Sequence, residues 1–184
     1  MRILFIHGLA SSGAYKMADM LRILLKAEVI APDLPVDLDE ALDLLKNIDA
    51  DLVVGLSWGG FLALRLGARK TVVVNPDLAP SALLRSKTGT VEYLSPRRGG
   101  ETSFEITDQI CRRYEEAEKE GFPHQETLLG CFADKDELIH CAPLFDSLFP
   151  GCSFCYPGGH LPTYKEMKQY IVPAIRNIIH QSPA

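Results

Sequence analysis

The stretch Asp51-Leu52-Val53-Val54-Gly55-Leu56-Ser57-Trp58-Gly59-Gly60-Phe61-Leu62-Ala63-Leu64-Arg65-Leu66 decides how the chain is read. An apolar, strand-like run leads into Gly55-Leu56-Ser57-Trp58-Gly59, and a helix-like run from Phe61 leads out. A serine flanked by glycines at a strand-to-helix junction is the pattern of a nucleophile elbow. There the serine takes strained backbone angles and lifts its hydroxyl above the end of a sheet. Gly55 and Gly59 remove side chains that would collide where strand and helix nearly touch.

Working outward, strand-like and helix-like segments alternate. Arg2 to Ile6 reads as a strand. Ala14 to Lys26 places Met17, Leu21, Leu24 and Leu25 at helical spacing. Glu28 to Ala31 is a short strand ending at Pro32-Asp33. Asp37 to Lys46 predicts a helix capped by Asp37, with Glu40 as the reciprocal partner. The helix after the elbow runs to Ala68, and Thr71 to Val74 is a strand. Pro76 to Pro123 breaks the rhythm. Its first half, with Pro80, Gly89, Pro96, Gly99 and Gly100, reads as loop. Its second half, Ser103 to Glu120, reads as a helix capped by Thr102, with Glu105 completing the box. The alternation resumes with a strand over Thr127 to Phe132, a helix over Ala142 to Leu148 and a strand over Ser153 to Tyr156. A final helix over Tyr164 to His180 is expected to kink at Pro173.

This order predicts an α/β fold: a mainly parallel sheet of about six strands, helices on both faces, three layers in all. The chain is read as one domain over 1–184, with 77–124 as an insertion forming a lid or pocket wall. Ligands of such sheets bind beyond the carboxyl ends of the strands.

The 184 residues are 47% hydrophobic and 23% charged, ordinary for a soluble domain. A net charge of −5 without a basic block argues against nucleic acid or an anionic membrane as partner. No apolar run is long enough to span a bilayer. Because Arg2 already opens a strand, no signal peptide is expected, and a cytoplasmic location follows. The cysteines at 111, 131, 141, 152 and 155 read as buried free thiols. Cys152 and Cys155 have a metal or redox half-motif spacing, but on a strand residues three apart face opposite sides. Neither a metal nor a cofactor is expected.

Candidate site residues fall at strand ends. His7-Gly8-Leu9 directly follows the first strand and looks like an oxyanion loop. The backbone N–H groups of Leu9 and Trp58 would stabilise charge developing on a carbonyl oxygen attacked by Ser57. A serine hydroxyl needs a base, usually histidine. Of five histidines, His7 belongs to the oxyanion loop and is expected to brace it. His124 lies at the wrong end of the sheet, His140 opens a helix and His180 is near the C-terminus. His160 follows the last strand in Tyr156-Pro157-Gly158-Gly159-His160, on what reads as an exposed, flexible loop. The acid that orients the base should follow the preceding strand, where Asp134, Asp136 and Glu137 compete.

Together these segments resemble the α/β-hydrolase superfamily over essentially the whole chain, without the first two strands of its larger members. The narrower resemblance is to small YqiA-type bacterial esterases. It rests on His7-Gly8 with Ser11-Ser12 and Lys16, on Asp33-Leu34-Pro35, on Asn75-Pro76, on Asp136-Glu137 and on Gly158-Gly159-His160. In that family's turn the acid closes a Gly-x-x-Asp-like stretch. Asp136 matches it, with Ala133 where the glycine would stand. The resemblance implies cleavage of short-chain esters or thioesters through an acyl-enzyme without a cofactor. Ser57 would be the nucleophile, His160 the base and Asp136 the acid. Two departures bear on substrate. Trp58 follows the serine, and would either narrow the pocket or pack under the insertion. The insertion has no motif to transfer, though Leu84, Tyr93, Leu94 and Phe104 are candidates for an acyl pocket. Rival readings are a lyase on the same scaffold and a small-molecule-binding module without turnover.

Overall fold

A computed structural model describes residues 1–180; the last four positions of the span 1–184 lie outside it. The elements follow in order: β1 (Arg2–Ile6), α1 (Lys16–Leu25), β2 (Glu28–Ile30), α2 (Leu38–Lys46), β3 (Leu52–Leu56), α3 (Trp58–Leu66), β4 (Lys70–Val74) and α4 (Pro80–Ser86). Then come β5 (Gly89–Glu92), β6 (Ser103–Ile106), α5 (Asp108–Glu120), β7 (Thr127–Ala133), α6 (Ala142–Leu148) and β8 (Ser153–Tyr156). The chain closes with α7 (Tyr164–Glu166), a π-helical turn over Met167–Ile171 and α8 (Val172–His180).

Six strands form one parallel sheet in the order β2-β1-β3-β4-β7-β8. From β1 the chain winds outward to β2, then returns to the other side through β3. The order therefore reverses between β1 and β3, the place where an open α/β sheet offers a crevice. Alternate side chains feed two cores. Leu4, Ile6, Val53 and Val73 pack against α2, α3 and α5 on one face. Ile3, Phe5, Val54, Val72, Val74 and Cys131 pack against α1 and the C-terminal helices on the other. Burial on both faces is why these strands read as unbroken apolar runs rather than alternating ones.

The insertion differs from its reading. Pro80–Ser86 is a helix where loop was expected, Pro80 sitting at the first helical position where its missing N–H costs nothing. Ser103 to Ile106 is not the start of a helix. It pairs antiparallel with Gly89–Glu92 as a hairpin, and α5 begins one turn later. The helix is capped by Thr107, whose hydroxyl accepts from the Ile110 N–H, and not by Thr102. Two threonines five residues apart both precede cap-compatible sequence, and Phe104 and Ile106 satisfy period 2 as well as a helix start. Leu84, Ile106, Cys111, Tyr114 and Ala117 are buried in the core against α2 and α3, so the insertion is built into the main body.

Asp37 caps α2 by accepting from Asp39 and Glu40. At Pro173 the final helix widens instead of breaking. Val172 N–H bonds to the Met167 carbonyl, five residues back. Proline cannot donate to Gln169, and its ring would crowd that carbonyl; the π turn accommodates both defects. Of the cysteines only Cys111 and Cys131 are buried; Cys141 and Cys152 are half-buried and Cys155 is exposed. Cys155 lies on the outermost strand of the sheet, where one flank has no neighbour to cover it. Among the described residues, no helix is long and apolar enough to cross a membrane, and no three His, Cys, Asp or Glu side chains are grouped to hold a metal ion.

Candidate active site

Ser57 stands between β3 and α3 with φ 55° and ψ −123°. This conformation is strained for a residue with a Cβ, at a cost of about 1–3 kcal/mol. The turn is possible because strand, helix and β1 touch backbone to backbone. A Cβ on Gly55 would press on the Gly59 carbonyl and the Ala63 side chain. One on Gly59 would press on the carbonyls of Ile6 and His7. Ser57 N–H donates to Val74 O at 3.0 Å, and its carbonyl accepts from Gly60 and Asp77. The elbow is thereby pinned to the end of β4. Two other non-glycine residues with positive φ, Ala10 at 57° and Asn75 at 45°, sit at the ends of β1 and β4. Three of the four non-glycine residues with positive φ thus lie along one rim of the sheet, the fourth being Lys26 at the C-cap of α1.

His7 is 1% exposed and neutral. Its Nε2 accepts from Leu34 N–H at 3.2 Å, so Nδ1 carries the proton and donates to Gly8 O at 2.8 Å. Burial, outweighing that hydrogen bond, lowers its pKa to about 4. The Gly8 carbonyl and the Leu9 N–H belong to one planar trans peptide and point opposite ways. By holding the carbonyl, His7 fixes the direction of the Leu9 amide. This is the bracing role expected of it.

The His160 ring is brought against Asp136. Nδ1 lies 2.8 Å from Oδ2 and 3.0 Å from Oδ1 of that carboxylate. Asp136 Oδ1 also accepts from the amides of Leu138 and Ile139, both at 2.9 Å. The other two carboxylates of the turn face elsewhere: Asp134 accepts from Gly158 N–H at 3.0 Å, and Glu137 accepts from His160 N–H at 3.2 Å. All three acids therefore tie the β7 turn to the β8 loop, but only Asp136 meets the imidazole. His160 is 3% exposed, contrary to the exposed loop expected from its glycines. The turns after β4 and β7 close over it, which local sequence does not reveal.

Asn75 enters from the sequence only within the Asn75-Pro76 pair, with no role assigned to it. Its Nδ2 donates to His160 O at 2.7 Å, Gly159 O at 3.3 Å and Tyr156 Oη at 3.0 Å, while Oδ1 accepts from Ala133 N–H at 2.8 Å. One amide thus clamps the ends of β4, β7 and β8 together. Its position after an apolar strand, before a proline, was the available signal, since asparagine tolerates positive φ.

Trp58 is buried under the insertion. Its Nε1–H donates to Tyr114 Oη at 2.9 Å, and that hydroxyl donates to Val36 O at 3.0 Å. Of the candidate acyl-pocket residues, Leu84 is in the core and Leu94 is 83% exposed. The rings of Tyr93 and Phe104 lie 4.8 Å apart, tilted by 34°, and wall a narrow gap with Leu9, Ala10 and Trp58. Asp77, 5% exposed beside the elbow, has its carboxyl raised above the usual range by burial. Among the described residues, neither the Ser57 hydroxyl nor His160 Nε2 makes a hydrogen bond. Such contacts often tighten only when substrate is bound.

A three-layer, doubly wound α/β protein with its polar cluster at the carboxyl rim is the class that this fold and site define. The alpha/beta hydrolase family model matches residues 3–172, and the chain belongs to that family. Solved structures share the fold at low identity. Mouse alpha/beta hydrolase domain-containing protein 10 is 15% identical with a TM-score of 0.65, covering 97% of this chain and 89% of its own. A metagenome-derived lipolytic enzyme, from the LipS and LipT study, is 13% identical with a TM-score of 0.66, covering 98% and 94%. The S-formylglutathione hydrolase of Staphylococcus aureus is 18% identical with a TM-score of 0.58, covering 97% and 84%. No curated protein matches the chain.

Proposed function

We propose that this protein is a serine hydrolase cleaving small carboxylic esters or thioesters through an acyl-enzyme. The observation that carries the reading is the buried His160–Asp136 pair, 2.8 Å apart, at the rim that also bears the strained Ser57. Asp136 holds Nδ1, which leaves Nε2 to take the Ser57 proton as Oγ bonds to the carbonyl carbon. The oxyanion turns to the amides of Leu9 and Trp58, worth about 3 kcal/mol of barrier each. Nε2 then returns the proton to the departing alcohol or thiol as its bond to carbon breaks. Water, deprotonated by the same nitrogen, releases the acid. Asp136 stays ionised throughout and stabilises the imidazolium. None of these steps calls on a cofactor.

The domain reading over 1–184 is retained, with 77–124 as a fixed wall held by the Trp58–Tyr114–Val36 chain. A location in the cytoplasm and a small-molecule substrate complete the proposal. A fluorophosphonate probe should label the protein and fail on Ser57→Ala, and p-nitrophenyl acetate should give a burst. Labelling without turnover of any ester or thioester would favour a lyase. No labelling of folded protein would favour a binding module.

A further inference from the structure

One buried charge has no part in that mechanism. Arg97 lies in the turn between β5 and β6, with its side chain 7% exposed. The guanidinium sits over the Tyr93 ring, 4.3 Å from its centroid, and Nη1 donates to Leu34 O at 3.1 Å. Its Nε is buried with no hydrogen-bond partner. Glu101 Oε2 comes only to 3.8 Å, beyond hydrogen-bond distance. Asp33 is near enough to feel the charge, yet its two oxygens are taken by the amides of Gly13 and Arg98. A buried cation is therefore balanced at a distance, without a carboxylate seated on its fork. Leaving a charged buried donor unsatisfied is costly, and such forks match carboxylates two bonds at a time.

Arg97 also forms part of the wall of a hollow of about 510 Å³, with Tyr93, Leu94, Pro96, Thr102, Glu92 and Glu101. Tyr93 lines both this hollow and the gap bounded by Leu9, Ala10 and Trp58. Leu94 N–H donates to Ala10 O at 2.7 Å, one residue from the Leu9 amide.

We propose that the hollow is a substrate subsite, in which Arg97 binds a carboxylate carried at the far end of the ester or thioester. The proposal rests on the serine-hydrolase reading for the reaction, but not for the binding. In the free protein Glu101 is a loose stand-in; its side chain is 56% exposed and turns to solvent when a substrate carboxylate takes its place. Arginine serves here because its planar fork orients the ligand, and the apolar floor of Tyr93 and Pro96 receives a methylene chain.

The test pairs p-nitrophenyl monoesters of dicarboxylic acids, from succinate to sebacate, with neutral p-nitrophenyl esters of equal length. At the length that spans from Ser57 to Arg97, the anionic member should be preferred in kcat/KM by about tenfold or more, the worth of one charged hydrogen bond. Arg97→Gln should collapse that preference, and Glu101→Gln, which cannot unfold the loop by losing a seated ion pair, should increase it. Calorimetric binding of free adipate and suberate to Ser57→Ala protein, with and without Arg97→Gln, reads the subsite independently of turnover. Dicarboxylate binding that needs Arg97 upholds the subsite even if no ester is hydrolysed, in which case the hydrolase reading fails alone. Neutral-ester turnover with no carboxylate preference at any length, or a preference indifferent to both substitutions, overturns the subsite.

Discussion

At the scale of single residues, the three acids after β7 show how similar side chains acquire different work. Asp136 is the one whose oxygens meet the imidazole, so Asp136→Asn should lower kcat by about 10⁴ by favouring the wrong tautomer of His160. Asp134→Asn and Glu137→Gln touch only backbone amides of the facing loop, and steady-state kinetics should show losses of about tenfold at most, from looser positioning. Equal losses in all three would mean that the turn, not the carboxylate, is what matters. His7 gives a pH prediction. Its folded pKa, about 4, lies below the ordinary 6.5, so the unfolded chain binds the extra proton first as pH falls. The stability it contributes is full above pH 6.5 and is lost on acidification toward pH 4, up to roughly 3 kcal/mol. Urea unfolding at pH 7 and pH 4.5 should show a smaller acid loss in His7→Gln than in the parent.

At the scale of elements, the alternation of apolar strands and amphipathic helices was legible because each core element carries its own periodicity. The hairpin was not. Ser103-Phe104-Glu105-Ile106 is too short to separate period 2 from a helix start, and its pairing with Gly89–Glu92 is set across a loop. The cap assignment is checked by substitution: Thr107→Ala should cost about 1 kcal/mol in chemical denaturation, and Thr102→Ala less than about 0.5 kcal/mol. The attachment of α5 makes a second element-level prediction. Tyr114→Phe keeps the ring but leaves the buried Trp58 Nε1–H and the Val36 carbonyl without partners. It should cost about 1–3 kcal/mol, with the loss seen in the urea midpoint and not in the m-value.

At the scale of the molecule, the sheet order brings together ends that are far apart in sequence. The strained turn at Ser57 and the loop after β1 were legible because both are local patterns that directly follow apolar strands. The burial of His160 was not, and the residues by themselves left three acids open, Asp136 being singled out only by the family resemblance, because both depend on how the turns after β4, β7 and β8 meet. Asn75 is where they meet, and its removal tests whether the convergence is held or merely permitted. Asn75→Gly keeps the positive φ without strain, so the backbone can hold its turn while the side-chain contacts are removed. It leaves the Ala133 N–H and the His160 carbonyl unpaired in a buried place, at about 1–3 kcal/mol for each group. The catalytic consequence follows from geometry. The imidazole is then tethered only through the acids of the β7 turn, while the elbow stays pinned to Val74 and Gly60. The loop after β1 is untouched, but the His160 backbone loses the amide that holds it at the rim of the sheet. If the proposed ester hydrolysis holds, kcat should fall at least about tenfold with KM little changed. A rise in KM with kcat preserved would show that Asn75 shapes the pocket and does not hold the base.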